Sequence, residues 1–171
     1  MYNPNMHSTY WDIREAISAQ YPDYKWNFDA LPFGLTTINF GPQTVCDDHI
    51  DDTDNAFGLA PTRSFGPFDY KKGGHLVFPS LKLAVQFCQG TEAWIPTAML
   101  PHANTQIGED ETRYSVTSYN SGGMSEWVYR GGLSKRGWLK YLKDKSRALE
   151  EAGLDVERPG ILRERLFPQW T

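Results

Sequence analysis

Residues 73–96 read GGHLVFPSLKLAVQFCQGTEAWIP, and this stretch decides the fold class. Its apolar runs, HLVFP, LKLAVQF and EAWIP, are five to seven residues long and are broken by Gly, Pro and Lys, the punctuation of strands rather than of helices. The same rhythm continues on both sides. Upstream stand GLTTINFG (34–41) and QTVCDDHID (43–51), and downstream TRYSVTSY (112–119), all short or alternating. Runs of this length, with no long helix between them, favour an antiparallel sandwich or barrel over a parallel α/β sheet. The expected architecture is mainly β, a jelly roll.

Helices are expected at both ends of this β core, which is placed at about 34–129. Residues 8–21 form an amphipathic pattern, with Ser8 or Thr9 as cap, Asp12 in the first turn, and Ile13, Ala16 and Ile17 at helical spacing. Tyr21-Pro22 ends it. Residues 134–152 repeat the signature, with Ser134 as cap, Leu139, Leu142 and Leu149 on one face, and Gly153 as the stop. No internal repeat or Pro/Ser-rich linker divides the 171 residues, so residues 1–171 are read as a single domain.

Composition bounds the function. With 40% hydrophobic and 14% aromatic residues the chain is globular rather than disordered. A mean hydropathy of −0.54, with no apolar run long enough to span a bilayer, gives no transmembrane helix, and the start has no cationic and apolar leader. Cys46 and Cys88 have no CxxC partner and fit a reducing compartment, so an intracellular home, cytoplasmic or nuclear, is expected. The net charge of −4 is uneven: residues 1–129 carry −8 and residues 130–147 carry +6. Arg130, Lys135, Arg136, Lys140, Lys143, Lys145 and Arg147 read first as a solvated face, and a nucleic-acid partner is the secondary reading. There is no GxSxG, Walker A loop or GxGxxG, so serine hydrolase, P-loop and Rossmann chemistry find no support.

The residues that carry chemistry are few. His49 stands two before Asp51, and strand alternation would send both from one face of a sheet. His102 from a neighbouring strand would complete a 2-His-1-carboxylate set, which leaves open metal positions and suits iron(II). Eleven residues beyond it, Arg113 shares a strand face with Ser115, and its guanidinium fork can hold a carboxylate. The ordinary alternatives are a surface loop for DDHIDDTDN, a carbonyl-bonded core histidine for His102, and a salt bridge from Arg113 to Glu109, Asp110 or Glu111. The acidic loop lacks an EF-hand's central Gly and terminal Glu. His75 and His7 are read as structural or exposed, and both cysteines as structural, with Cys46 turned away from His49 by alternation.

In this order, His49-x-Asp51, the GG-led strand at 73–79, the Pro-His at 101–102 and Arg113-Tyr-Ser115 resemble the Fe(II)/2-oxoglutarate-dependent dioxygenase superfamily. The resemblance covers about residues 34–120. Residues 73–96 are similar to the prolyl-hydroxylase-like core, YNSGGMSEWVYRGG is similar to largely uncharacterised fungal members, and His49 to Asn55 is loosely like the HxD-x3-N of TET/JBP nucleobase oxygenases. The resemblance implies a double-stranded β-helix, iron(II) held by His49, Asp51 and His102, and the far carboxylate of 2-oxoglutarate held by Arg113 with Ser115. It further implies cosubstrate contacts from Asn39 and Asn104. The implied activity consumes O₂ and 2-oxoglutarate, yields succinate, and hydroxylates an unactivated C–H bond of a substrate the sequence does not name. Phe40, Phe65, Trp94 and Trp127 are candidates to line the pocket, with core packing as the ordinary role. Two competing readings are a non-catalytic cupin-like metal or ligand module and a nucleobase-directed oxygenase.

Overall fold

The computed structural model describes residues 3–151. They form two compact units, one of residues 25–122 and one of the described residues on either side of it.

The unit of residues 25–122 is mainly antiparallel β-sheet with little helix. Its strands are β1 Leu35–Asn39, β2 Ala60–Phe65, β3 Leu76–Phe78, β4 Leu83–Val85, β5 Glu92–Ile95, β6 Ala103–Asn104 and β7 Tyr114–Tyr119. One sheet has the order β1-β7-β2-β5 and the other β4-β3-β6. The last strand in the chain thus lies between the first two, with Asn39 opposite Ser115 and Thr62 opposite Thr117. The GG-led segment behaves as its pattern predicts: Leu76 and Phe78, two apart on β3, are buried with Phe87 and Ile95, and Ala93 and Leu100 pack against them. Each such side chain contributes about 1.5–3 kcal/mol by leaving water. Asn120, fully buried just after β7, accepts from Gly34 N (2.6 Å) and donates to Pro32 O (3.1 Å), which fastens the approach to β1.

Three differences from the sequence reading stand out. Residues 43–51 are not a strand: they touch the rest of the unit by single bridges, Gln43 with Arg113 and His49 with His102. Three acids in nine residues disfavour a continuous ladder. LKLAVQF is strand only over Leu83–Val85, because Leu81 ends a 3-10 turn and Lys82 is left-handed (φ 51°). APTRSF, over which no strand was predicted, is β2, an inner strand.

The other unit holds three helices, α1 Pro4–Gln20, α2 Gly122–Tyr129 and α3 Lys135–Glu151. α1 starts four residues before the expected Ser8 because Asn3 caps it, accepting from Met6 N (3.0 Å), with Pro4 at the first position. Thr9 instead bonds back to Asn5 O (2.8 Å). Met6, Tyr10, Ile13 and Ile17 form its buried face. α2 lies where the β core was expected to continue to about 129, and Gly131 and Gly132 close it through bonds to the Val128 and Trp127 carbonyls. α3 is capped by Ser134 as expected, through Gly137 N (3.1 Å), yet Leu139 is 59% exposed. The expected stop at Gly153 lies outside the described residues. No helix among the described residues is long and apolar enough to cross a membrane.

Candidate metal centre

His49 and His102 face each other as a mutually bonded pair: His49 N donates to His102 O (3.1 Å), and His102 N returns the bond to His49 O (2.9 Å). Such a pairing sends both side chains the same way, and the ring centroids stand 4.4 Å apart. Each ring is held alike, by Nδ1 against the carbonyl two residues earlier, Asp47 O at 2.7 Å for His49 and Leu100 O at 3.0 Å for His102. A carbonyl only accepts, so each Nδ1 carries the hydrogen, and the tautomer this selects presents the lone pair of Nε2 as a metal ligand. Asp51 joins them because its N–H is fixed to Thr97 O (3.0 Å). Its carboxylate oxygens lie 3.5 Å from His49 Nε2 and 3.9 Å from His102 Nε2.

Three acceptors, all within 4.8 Å of one another, converge on one point. Lone pairs and a carboxylate held this way repel unless a cation stands between them, and cis ligands of a metal at about 2.1 Å sit about 3 Å apart. The donor set therefore fits a divalent transition metal with small adjustments of side-chain torsion. Expected alternation is not what joins His49 to Asp51, since 43–51 is no strand; the His49–His102 bridge and the Thr97 carbonyl do it.

Asp54 supports the centre from behind. Its carboxylate accepts from Thr97 Oγ1 (2.6 Å) and its N–H bonds Asp51 O (2.9 Å), so Thr97 and Asp54 together hold both ends of the Asp51 turn. Burial pushes the Asp54 carboxyl above its ordinary pKa, with the Thr97 hydrogen bond opposing. Nothing in the sequence pattern distinguishes Asp54 from the acids around it.

The three donors line a cavity of about 320 Å³, and so do Arg113, Ser115, Asn39, Asn104 and Cys46. Both sheets contribute, β1, β2, β5 and β7 from one and β3 and β6 from the other. Arg113 is 4% exposed. Its backbone is tied to Pro42 O (2.9 Å), its guanidinium lies 5.9 Å over the Phe87 ring, and its Nε has no hydrogen-bond partner among the described residues. Desolvation pulls its pKa below the ordinary arginine value, opposed by Cys46. Of the acids that offered an ordinary salt bridge, Glu111 accepts from the N–H groups of Asp69 and Gly108, both at 2.7 Å, and no ion pair from any of them to Arg113 exists among the described residues. A buried, uncompensated guanidinium costs several kcal/mol unless an anion meets it.

Ser115 is buried beside it, and its Oγ accepts from Asn39 Nδ2 (3.0 Å), which leaves the Ser115 hydroxyl hydrogen free to donate. Asn104 has its amide committed to backbone, accepting from Cys46 N (2.8 Å) and donating to Thr44 O (3.1 Å). The rest of the lining is hydroxyl-rich, with Thr62 and Thr117 bonded at 3.0 Å and Thr37 and Tyr119 at 3.3 Å. None of the four aromatic candidates lines this cavity. Phe40 is 76% exposed, Phe65 and Trp94 border a groove on the opposite face of the sheet, and Trp127 packs on Tyr21 in the helical unit. Tyr119, which no motif singles out, is the aromatic side chain in the lining. His75 bonds the Tyr70 carbonyl (3.0 Å) and His7 pairs with Trp11, and neither belongs to the donor cluster. Cys46, expected to turn away, lines the cavity because alternation does not govern a non-strand segment.

No protein-family model matches the chain, and no curated protein matches it. Solved structures do. NgTET1 in complex with 5mC DNA aligns with a TM-score of 0.53 at 17% identity over 66% of this chain, and the match spans 42% of the NgTET1 chain. The viral collagen prolyl hydroxylase vCPH from Paramecium Bursaria Chlorella virus-1, in its 2OG complex, aligns with a TM-score of 0.32 at 17% identity over 63% of this chain and 67% of its own. What the chain shares with NgTET1 at this identity is the fold.

Proposed function

We propose that the chain is an Fe(II)/2-oxoglutarate-dependent dioxygenase whose chemistry lies in the β unit. The observation that carries this reading is the buried, uncompensated Arg113 in the same cavity as the His49–Asp51–His102 cluster. A metal-binding module needs the cluster alone; a cluster and an anion clamp in one cavity fit a metal together with a small carboxylate. The likeness to NgTET1, with its 5mC DNA, and the two sheets around the cavity support the reading and suit a double-stranded β-helix. Iron(II) held by His49, Asp51 and His102 would supply, with 2-oxoglutarate and O₂, the oxidising power for hydroxylation of a C–H bond, with succinate and CO₂ as the products of 2-oxoglutarate.

The protein's own part is positional. His49, His102 and Asp51 hold three metal positions and leave the others for ligands. Arg113 and the Ser115 hydroxyl receive the far carboxylate, and Asn39 sets the direction of that hydroxyl. The Asp47 and Leu100 carbonyls keep both imidazoles in the ligating tautomer. His49→Ala and Asp51→Ala are each expected to abolish 2-oxoglutarate-dependent succinate formation, measured without added prime substrate; full turnover in either variant would overturn the assignment. Metal binding in the wild type with no affinity for 2-oxoglutarate would favour the non-catalytic cupin-like module.

A nucleic-acid-directed version of this activity draws on one further observation. Lys135, Arg136, Lys140, Lys143 and Lys145 are exposed on α3 and have no ion pair among the described residues. Arg136, Lys140 and Lys143 fall on one helical stripe, and Trp138 stacks on Tyr141 beside them (5.3 Å). Salt-dependent binding of DNA or RNA that falls on charge reversal of Lys140 and Lys143 is the expected result; no binding at low salt would dismiss it.

A further inference from the structure

Cys46 sits where a thiol has a consequence. It lines the 320 Å³ cavity with Arg113, it is half-buried, and its backbone is fixed on both sides by Asn104, whose Oδ1 accepts from Cys46 N (2.8 Å) and whose N–H donates to Cys46 O (3.1 Å). The segment leading to it is pinned to Arg113 as well, through Pro42 O and the Gln43 bridge. Cys46 therefore shares a small polar space with Arg113, a residue 4% exposed whose Nε is unpartnered among the described residues.

We propose that Cys46 is a covalent modification site, selective for anionic thiol-reactive species, and that its modification blocks the carboxylate end of the cavity. Arg113 draws the anion in, as it would a carboxylate ligand, and Cys46 is the nucleophile within its reach. With a disulfide of a carboxylate-bearing thiol, the Cys46 thiolate attacks one sulfur and the S–S bond breaks. A mixed disulfide forms, the Cys46 sulfur is oxidised, and the other half leaves as a reduced thiolate. Added thiol reverses the step. The adduct's carboxylate then occupies Arg113, and the cavity is closed to other anions until reduction. Cys88 offers an internal comparison, since it is half-buried and lies outside this cavity. The inference rests on the Arg113 anion site and does not depend on iron or on turnover.

The test compares two alkylating agents of nearly equal size, iodoacetate and iodoacetamide, on the full chain, with rates at Cys46 and Cys88 read by peptide mass spectrometry. The iodoacetate-to-iodoacetamide rate ratio is expected to be about tenfold higher at Cys46 than at Cys88, the order a cation at close range in a partly desolvated site gives. In Arg113→Gln the two ratios should coincide. If that variant does not fold, the wild-type comparison still decides, because equal ratios at Cys46 and Cys88, or an unreactive Cys46 beside a reactive Cys88, overturn the proposal. Oxidised glutathione should form its mixed disulfide at Cys46 ahead of Cys88, and the reverse preference would count against it. Saturating 2-oxoglutarate separates this inference from the functional reading: selectivity without protection leaves Cys46 standing and counts against 2-oxoglutarate, whereas protection without selectivity does the opposite.

Discussion

The two faces of the sheet β1-β7-β2-β5 are composed in the opposite sense from an ordinary β-sandwich. The face toward the metal cluster presents Thr37, Asn39, Thr62, Ser115 and Thr117, with the apolar Ile95 at the β5 edge. The other face presents Pro61, Phe65, Trp94 and Val116, together with Ser118 and the Arg63–Glu92 ion pair, to a groove completed by Phe28, Leu31 and Phe33, with Trp94 45% exposed. Alternation with period two separates the two sets along each strand. Burial alone would place the apolar set inside. A sheet that turns hydroxyls and an uncompensated guanidinium toward its interior is shaped by what that interior holds, and the comparison locates function on the polar side.

The largest expected effect comes from Gly74, which adopts φ +68° where a Cβ would stand 2.8 Å from the Phe68 ring and 3.2 Å from Arg113 Cδ. Gly74→Ala is expected to destabilise the fold by about 2 kcal/mol in urea denaturation, and to weaken 2-oxoglutarate binding by displacing Arg113. Gly90 sharpens the reading, because its φ is +80° with nothing within 4 Å, so Gly90→Ala should cost only about 1 kcal/mol and leave binding unchanged. Equal losses in the two variants would show that the contact with Arg113 is irrelevant.

Next comes the hydroxyl pair. Thr62→Val removes one partner of the 3.0 Å bond to Thr117 and should cost about 1 kcal/mol, while Thr62→Val with Thr117→Val should recover part of that loss. Additive losses in the double variant would mean that the two hydroxyls act independently. On the apolar face the smallest effect is expected: Phe65→Ser, at a position 40% exposed, should change stability by no more than about 0.5 kcal/mol and leave 2-oxoglutarate binding untouched. A large loss of binding there would break the division of labour between the faces.

Legibility in the sequence follows the same division. His49, Asp51, His102 and Arg113 stand out because their chemistry is rare and their order in the chain is distinctive, and the structure brings all four to one cavity. Strand β3 was legible because Leu76 and Phe78 are apolar and alternate. Strand β2 was not, because in APTRSF the buried positions Thr62, which lines the cavity, and Ser64 are polar while Pro61 reads as a break; a strand with polar inner positions carries no hydrophobic alternation to detect. α2 escaped for a related reason, since GGMSEWVY is too short to show a helical period. Asp54 and Cys46 gain their places only from long-range pairings, to Thr97 and to Asn104, that no local pattern encodes.

The most direct measurement is an anaerobic titration of the metal-free protein with Fe(II) and 2-oxoglutarate, following the visible metal-to-ligand charge-transfer band in the wild type and in Arg113→Ala. A carboxylate clamp at Arg113 predicts the band in the wild type and, in Arg113→Ala, metal binding that persists while the 2-oxoglutarate needed to develop the band rises by about 100-fold, as loss of a charge-assisted carboxylate pair implies. Metal binding without a band in the wild type, or a band that Arg113→Ala leaves unchanged, would contradict it.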